Sequence, residues 1–113
     1  MVLVVRGELR LTAGKAAVQV AHAAVMLVEL ARKRQAGAVD AWLSEGQKKI
    51  AVVAKDLEEM ERLSRLARAK GLPTVLVEDA GFTEVPAGTK TVLGIGPGKA
   101  EEVDSVTGNL PLL

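Results

Sequence analysis

The chain has 113 residues, 49% apolar and 26% charged, with a formal net charge of +1. That is the profile of one folded domain, too short for two independent cores and too apolar for a disordered chain. The absence of cysteine excludes disulfides, thiol nucleophiles and thiolate metal sites, and a lone histidine, His22, excludes a multi-histidine zinc site. Trp42 and Phe82 are the only aromatics, so the core must be built from Val, Leu and Ala, which argues against binding by stacked bases.

Met1–Val5 is a short apolar run of the kind buried on both faces of a sheet. Thr12 can cap a helix running through Ala16–Arg34, with Arg32, Lys33 and Arg34 favourably placed at its carboxyl end. A short second helix fits Ala38–Leu43, and a second strand fits Ile50–Ala54. Asp56 and Glu59 make a capping box for a third helix, whose apolar face holds Leu57, Met60, Leu63 and Ala67. Gly71 and Pro73 end it. Strands at Thr74–Val77 and Thr91–Ile95 follow, and a last helix fits Lys99–Val106. This alternation predicts an α/β fold: a single-domain three-layer sandwich spanning residues 1–113, with a four-stranded mixed sheet and helices on both faces. Residues 78–90 contain Gly81, Pro86 and Gly88 and no helical period, so the fourth strand is expected to run antiparallel to the third.

The amino terminus has no basic run and no cleavage pattern of a signal peptide. The longest apolar stretch, Ala16–Val28, is broken by Gln19 and His22 and is short for a bilayer span. A cytoplasmic protein without membrane contact is the expectation. Charge is uneven: residues 1–50 carry eight basic and four acidic side chains, whereas residues 51–113 carry seven and ten. The apolar surplus of so small a chain allows a homodimer.

Ligands of open α/β sheets bind beyond the carboxyl ends of the parallel strands. There the expected topology gathers Lys15, Asp79, Thr83 and Thr91. Lys15 opposes the dipole of the helix it opens, a choice against the local rule that points to an anionic ligand or a developing oxyanion; a solvated surface lysine is the plain alternative. Asp79 precedes Ala-Gly, which is also ordinary turn chemistry. Lys15, Gln19, His22, Met26 and Glu29 share one stripe of the first helix. Its other faces are almost wholly Ala, Val and Leu, so the helix is expected to be deeply packed, with Gln19 and His22 satisfying interior backbone groups. The run Gly94-Ile-Gly-Pro-Gly98 lacks the spacing of a phosphate loop and reads as a tight turn. No serine sits in a nucleophile elbow, so any hydrolysis here would use activated water.

At these residues the chain resembles the type 2 peptidyl-tRNA hydrolases of archaea and eukaryotes. The similarity runs through VLVVR, GKAAVQVAHAAV, VEDAGFTEVPAGTKTVLGIGPG and the closing VTGNLPLL, in order from end to end. It implies a cofactor-free enzyme that cleaves the ester joining a peptide to the 3′-terminal ribose of tRNA. The family's lysine then falls on Lys15, its aspartate on Asp79 and its threonines on Thr83 and Thr91, with Gln19 and His22 in support. Under this reading Asp79 orients or activates a water, Lys15 stabilises the oxyanion, and the two threonines hold the ester and ribose. Phe82 departs from the polar or basic side chain expected there. Lys48, Lys49, Lys90 and Lys99 are weaker candidates for tRNA phosphate contacts. The rival readings are a non-catalytic RNA- or protein-binding module on the same fold and a small-molecule ester hydrolase.

Overall fold

A computed structural model of the chain describes residues 1–81 and 84–113. In order come strand β1 (Val2–Arg6), a single 3-10 turn (Gly7–Leu9), helices α1 (Ala13–Arg34) and α2 (Ala36–Ser44), strand β2 (Ile50–Ala54), helix α3 (Leu57–Ala69), strands β3 (Thr74–Glu78) and β4 (Lys90–Ile95), and helix α4 (Ala100–Thr107). The four strands and four helices expected from the sequence are all present, and among the described residues only the 3-10 turn is additional.

The sheet order is β2-β1-β4-β3. β1 and β2 are parallel, and β4 runs antiparallel to both β1 and β3. Helices cross over between β1 and β2 and between β2 and β3, as parallel strands require, whereas the helix-free link to β4 reverses the chain. The carboxyl ends of β1, β2 and β3 therefore share one end of the sheet with the start of β4.

The central strands β1 and β4 are buried on both faces, which is why they read as unbroken apolar runs. Val2, Val4, Leu93 and Ile95 pack with Met60, Leu63, Val103 and Val106 of α3 and α4. Leu3, Val5 and Val92 face the other way, onto Ala23 and Leu27 of α1 and Trp42 of α2. The Asp56 carboxylate caps α3 by accepting from the Glu59 N–H at 2.9 Å, and the Glu59 carboxylate accepts from the Lys55 N–H at 2.9 Å. The reciprocal bond thus lands one residue before the cap.

One expectation fails. α1 is not packed on all sides: only Ala16, Gln19, Ala23, Leu27 and Ala31 are buried, a stripe spaced three and four residues apart. Val18 and Val25 are 52% and 65% exposed, and His22 is exposed as well, so it does not serve the interior. α1 is covered by one face of the sheet and, on a flank, by α2, which leaves its outer side exposed. By length and composition α1 could also cross a bilayer, contrary to the estimate from its shorter apolar stretch; here it lies on β4, β3 and β1.

α1 approaches the sheet closely because β4 offers it a glycine. A Cβ on Gly94 would stand 2.7 Å from Leu27 Cδ1 and 3.1 Å from Val75 Cγ2. Gly94→Ala should therefore destabilise by about 1–3 kcal/mol through overpacking, and Leu27→Ala by about 2–5 kcal/mol through the cavity it leaves. In the double variant the second substitution relieves the first, so urea unfolding should give a sum well below additive. Strict additivity would show that the contact does not limit the approach of α1.

Candidate active site

β3 ends at Glu78, and Asp79 follows it with its backbone fixed from both sides: its N–H donates to the Thr89 carbonyl at 2.9 Å, and its carbonyl accepts from the Gly88 N–H at 2.8 Å. Asp79 is only 5% exposed, so its carboxylate must find its partners inside the protein. It finds three. Oδ1 accepts from Lys15 Nζ and, at 2.9 Å, from Gln19 Nε2; Oδ2 accepts from the Gly81 N–H at 2.6 Å. Lys15 and Gln19 are four residues apart on one face of α1, which brings both donors to the same oxygen.

Gly81 has a reason to be glycine. Its φ is +86°, and a Cβ there would lie 2.7–2.9 Å from Ala87. Only glycine lets the chain fold back tightly enough for its N–H to reach Asp79.

The Lys15 hydrogen bond, followed by that of Gly81, holds the Asp79 carboxyl below the ordinary carboxylate range, against the opposing effect of burial. Gln19 is itself buried, and its Oε1 has no hydrogen-bond partner among the described residues. The amide orientation is fixed by Asp79, because an oxygen turned toward the carboxylate would be repelled. The cluster therefore keeps one buried acceptor unused beside a charged Lys–Asp pair.

Glu84 is a site residue that the sequence reading did not single out. Its carboxylate accepts from the Thr12 N–H at 3.0 Å and from the Thr12 hydroxyl, while Thr12 Oγ1 also accepts from the Lys15 N–H at 3.3 Å. These bonds, with the Thr12 hydroxyl foremost, lower the Glu84 pKa. Glu84 clamps the 79–89 loop to the start of α1 and satisfies the cap there, so the amino end of α1 is not left as a free anion site. Nothing in the sequence between Thr12 and Glu84 signals their meeting; only the fold joins them.

Thr91 takes a different place from the one its chemistry suggested. Lys90 pairs with Glu78 and Val92 with Val77, so Thr91 is the extra residue of a β-bulge. It is fully buried and donates its hydroxyl to the Val77 carbonyl at 3.3 Å. Thr83, like Phe82, lies outside the described residues. His22 is exposed and lines a groove one turn beyond Gln19.

The basic candidates divide between the two ends of the sheet. Lys90 lies at the Asp79 end, paired with Glu61 at 3.1 Å, and beside it Arg6 donates to the Lys90 carbonyl at 3.3 Å and to Glu8 at 2.8 Å. Lys48 and Lys49 precede β2 and Lys99 follows β4, which puts them a full strand length away, about 15 Å at 3.3 Å per residue. Lys49 is held there with its Nζ 5.1 Å above the Trp42 ring. These three do not join the cluster.

A partly buried lysine paired with a buried, glycine-bound aspartate forms a site suited to polarising an electrophilic carbonyl for attack by water. Comparison with known proteins agrees with that chemistry. The family model described as "Peptidyl-tRNA hydrolase PTH2" matches residues 1–113. A peptidyl-tRNA hydrolase of Methanopyrus kandleri is 55% identical over 113 residues, covering 99% of this chain and 96% of that protein. One from Metallosphaera sedula is 47% identical over 117 residues, covering 100% and 98%, and one from Thermococcus onnurineus is 46% identical over 112 residues, covering 99% and 95%. With its full described sheet and both halves of the Lys15–Asp79 pair inside that match, the chain belongs to the peptidyl-tRNA hydrolase PTH2 family.

Proposed function

We propose that this chain hydrolyses the ester between a peptide and the terminal ribose of tRNA, working in the cytoplasm and using Lys15, Gln19 and Asp79 as its central site. The observation that carries this reading is the ion pair of a partly buried Lys15 with an almost wholly buried Asp79. All three side chains come from one chain.

A carboxylate held below its ordinary pKa is a poor proton acceptor at neutral pH. Asp79 therefore acts by orientation: it holds the Lys15 ammonium, and the attacking water is placed by that ammonium rather than by the enclosed oxygens of Asp79 and Gln19. As the water adds to the ester carbonyl, negative charge grows on the carbonyl oxygen, and the Lys15 ammonium stabilises it in a site with little competing solvent. As the tetrahedral intermediate collapses, the C–O bond to ribose breaks and a proton of the added water passes to the departing ribose oxygen. Ribose thus leaves as the hydroxyl and the peptide as a carboxylic acid that then ionises. An ester has a good leaving group, so positioning and one well-placed cation suffice.

Thr91 then belongs to positioning, since its hydroxyl is spent on Val77 and its bulge sets the chain at Glu78, the residue before Asp79. Thr83 keeps the role of holding the ester or ribose. Lys90 remains the phosphate contact nearest the site.

Lys15→Ala and Asp79→Asn should each lower kcat for release of an N-acetyl-aminoacyl group from tRNA about 10²–10³-fold, the range for losing one preorganised oxyanion partner. tRNA binding, followed by filter retention, should persist in both. Turnover at the parent rate in either variant would remove that residue from the mechanism. Rising salt should weaken KM as phosphate contacts are lost.

The pKa of Asp79 gives an independent check. Because folding lowers it, its contribution to stability is complete above the unfolded value of about 3.9 and disappears as pH falls through the lower folded value. Carbon-13 NMR of the Asp79 carboxyl should show a midpoint below that of an ordinary aspartate, and Lys15→Ala should raise it. A midpoint at the ordinary value in the parent protein would mean that Lys15 does not pair with Asp79 in solution.

A further inference from the structure

The two edges of the sheet are finished differently. The outer edge of β2 receives the chain's own carboxyl end: Leu112 bridges to Val52, the Val53 N–H donates to the Pro111 carbonyl at 2.9 Å, and the Leu113 N–H donates to the Ala51 carbonyl at 3.0 Å. β3, at the other edge, pairs only with β4 among the described residues. The Gly96 N–H donates to the Pro73 carbonyl at 2.9 Å. In an antiparallel ladder the bonded side alternates along the strand, so Val75 and Val77 face β4 while the N–H and carbonyl of Leu76 face outward. Exposed edges invite pairing, and proteins normally cover them. Among the described residues, one edge is covered and the other is left open beside the candidate site.

Along the open edge, between β3 and α1, runs a groove of about 480 Å³ lined by His22, Val25, Met26, Leu76, Val77 and Glu78. Its outer wall is apolar, with Val25 65% and Met26 40% exposed. Glu78 directly precedes Asp79, so the groove opens at the Lys15–Asp79 pair. A second depression of about 450 Å³ continues past Leu30, Thr74 and Val75.

We propose that this groove takes the peptide portion of the substrate as an added β-strand, parallel to β3, with the Leu76 N–H and carbonyl as its backbone partners. The inference rests on the esterase reading above, which puts the ester carbonyl at Asp79. From that point the peptide, followed from its carboxyl to its amino end, passes Glu78, Leu76 and Thr74, which is the parallel sense. At about 3.3 Å per residue, Leu76 lies opposite the third residue from the ester, and its carbonyl accepts from the N–H of the second. Recognition of an edge through main-chain bonds does not read side chains. A shallow Val and Met wall likewise adapts to different ones. Together they suit a hydrolase that must accept many peptide sequences, and they explain why β3 is left without the cover that β2 has.

The test compares kcat/KM for N-acetyl-aminoacyl-tRNA with that for N-acetyl-tripeptidyl-tRNA on one tRNA body. The parent protein should favour the longer substrate about tenfold, and Val25→Glu or Met26→Glu, both at exposed positions that the fold tolerates, should bring the ratio close to one. A scan of single N-methyl groups along the tripeptide, run on the parent protein, should abolish the gain at the amide that donates to the Leu76 carbonyl and spare its neighbours. Cleavage of both substrates with equal kcat/KM, a ratio untouched by the two variants, or indifference to N-methylation would each overturn the groove assignment while leaving the esterase reading intact. A dimer in sedimentation that Val25→Glu dissociates would also overturn it, by giving the edge to a second copy. Failure to cleave either substrate would instead refute the esterase reading.

Discussion

Asp79 carries a charge almost out of reach of water, and a buried carboxylate is tolerated only when its oxygens are matched by donors. The matching draws on two separate parts of the chain: Lys15 and Gln19 come from the first turns of α1 and the Gly81 N–H from the loop beyond β3, while Gly88 and Thr89 fix the Asp79 backbone. Each of these parts is useless to Asp79 unless the other is in place. The position of α1 on the sheet is thereby tied to the conformation of the 79–89 loop, and Glu84 ties them a second time through Thr12.

The same helix links the core to the chemistry. Its buried stripe of Ala16, Ala23, Leu27 and Ala31 is made of small side chains apart from Leu27, which Gly94 accommodates. Close packing at that stripe sets where Gln19 arrives, and Gln19 is the only polar member of it. Side chains in a packed interior have little freedom to drift, so the distance from Gln19 to Asp79 is governed by how α1 seats on β4. The exposed face of α1, with Val18, Val25 and Met26, is left to deal with what lies outside.

Much of the fold was legible in the residues because local rules and global fold agree here. Unbroken Val-rich runs marked the strands, Thr12 and Asp56 marked the helix starts, and a helix-free link before Lys90 gave the reversed fourth strand. The conflict came at α1, where an apolar composition suggested burial on every side. Composition counts apolar residues but cannot count the neighbours available to cover them, and one sheet face with α2 covers a single stripe. The 3-10 turn at Gly7–Leu9 escaped notice for a related reason: a three-residue turn has no period to detect.

The sequence by itself determined the residue types of the site, the alternation of strands and helices, and the family, because these depend on short motifs and on their order. It also brought Lys15 and Asp79 to one end of the sheet, since a parallel α/β order puts the strand ends together. What only the tertiary structure decided was which groups touch: that Gln19 donates to Asp79 and keeps a spare acceptor, that Glu84 caps Thr12, that Thr91 turns inward at a bulge, and that Lys48, Lys49 and Lys99 lie at the far end. Those outcomes depend on sheet order, register and a one-residue bulge. Such features arise from contacts between distant segments, and no local stretch of the chain encodes them.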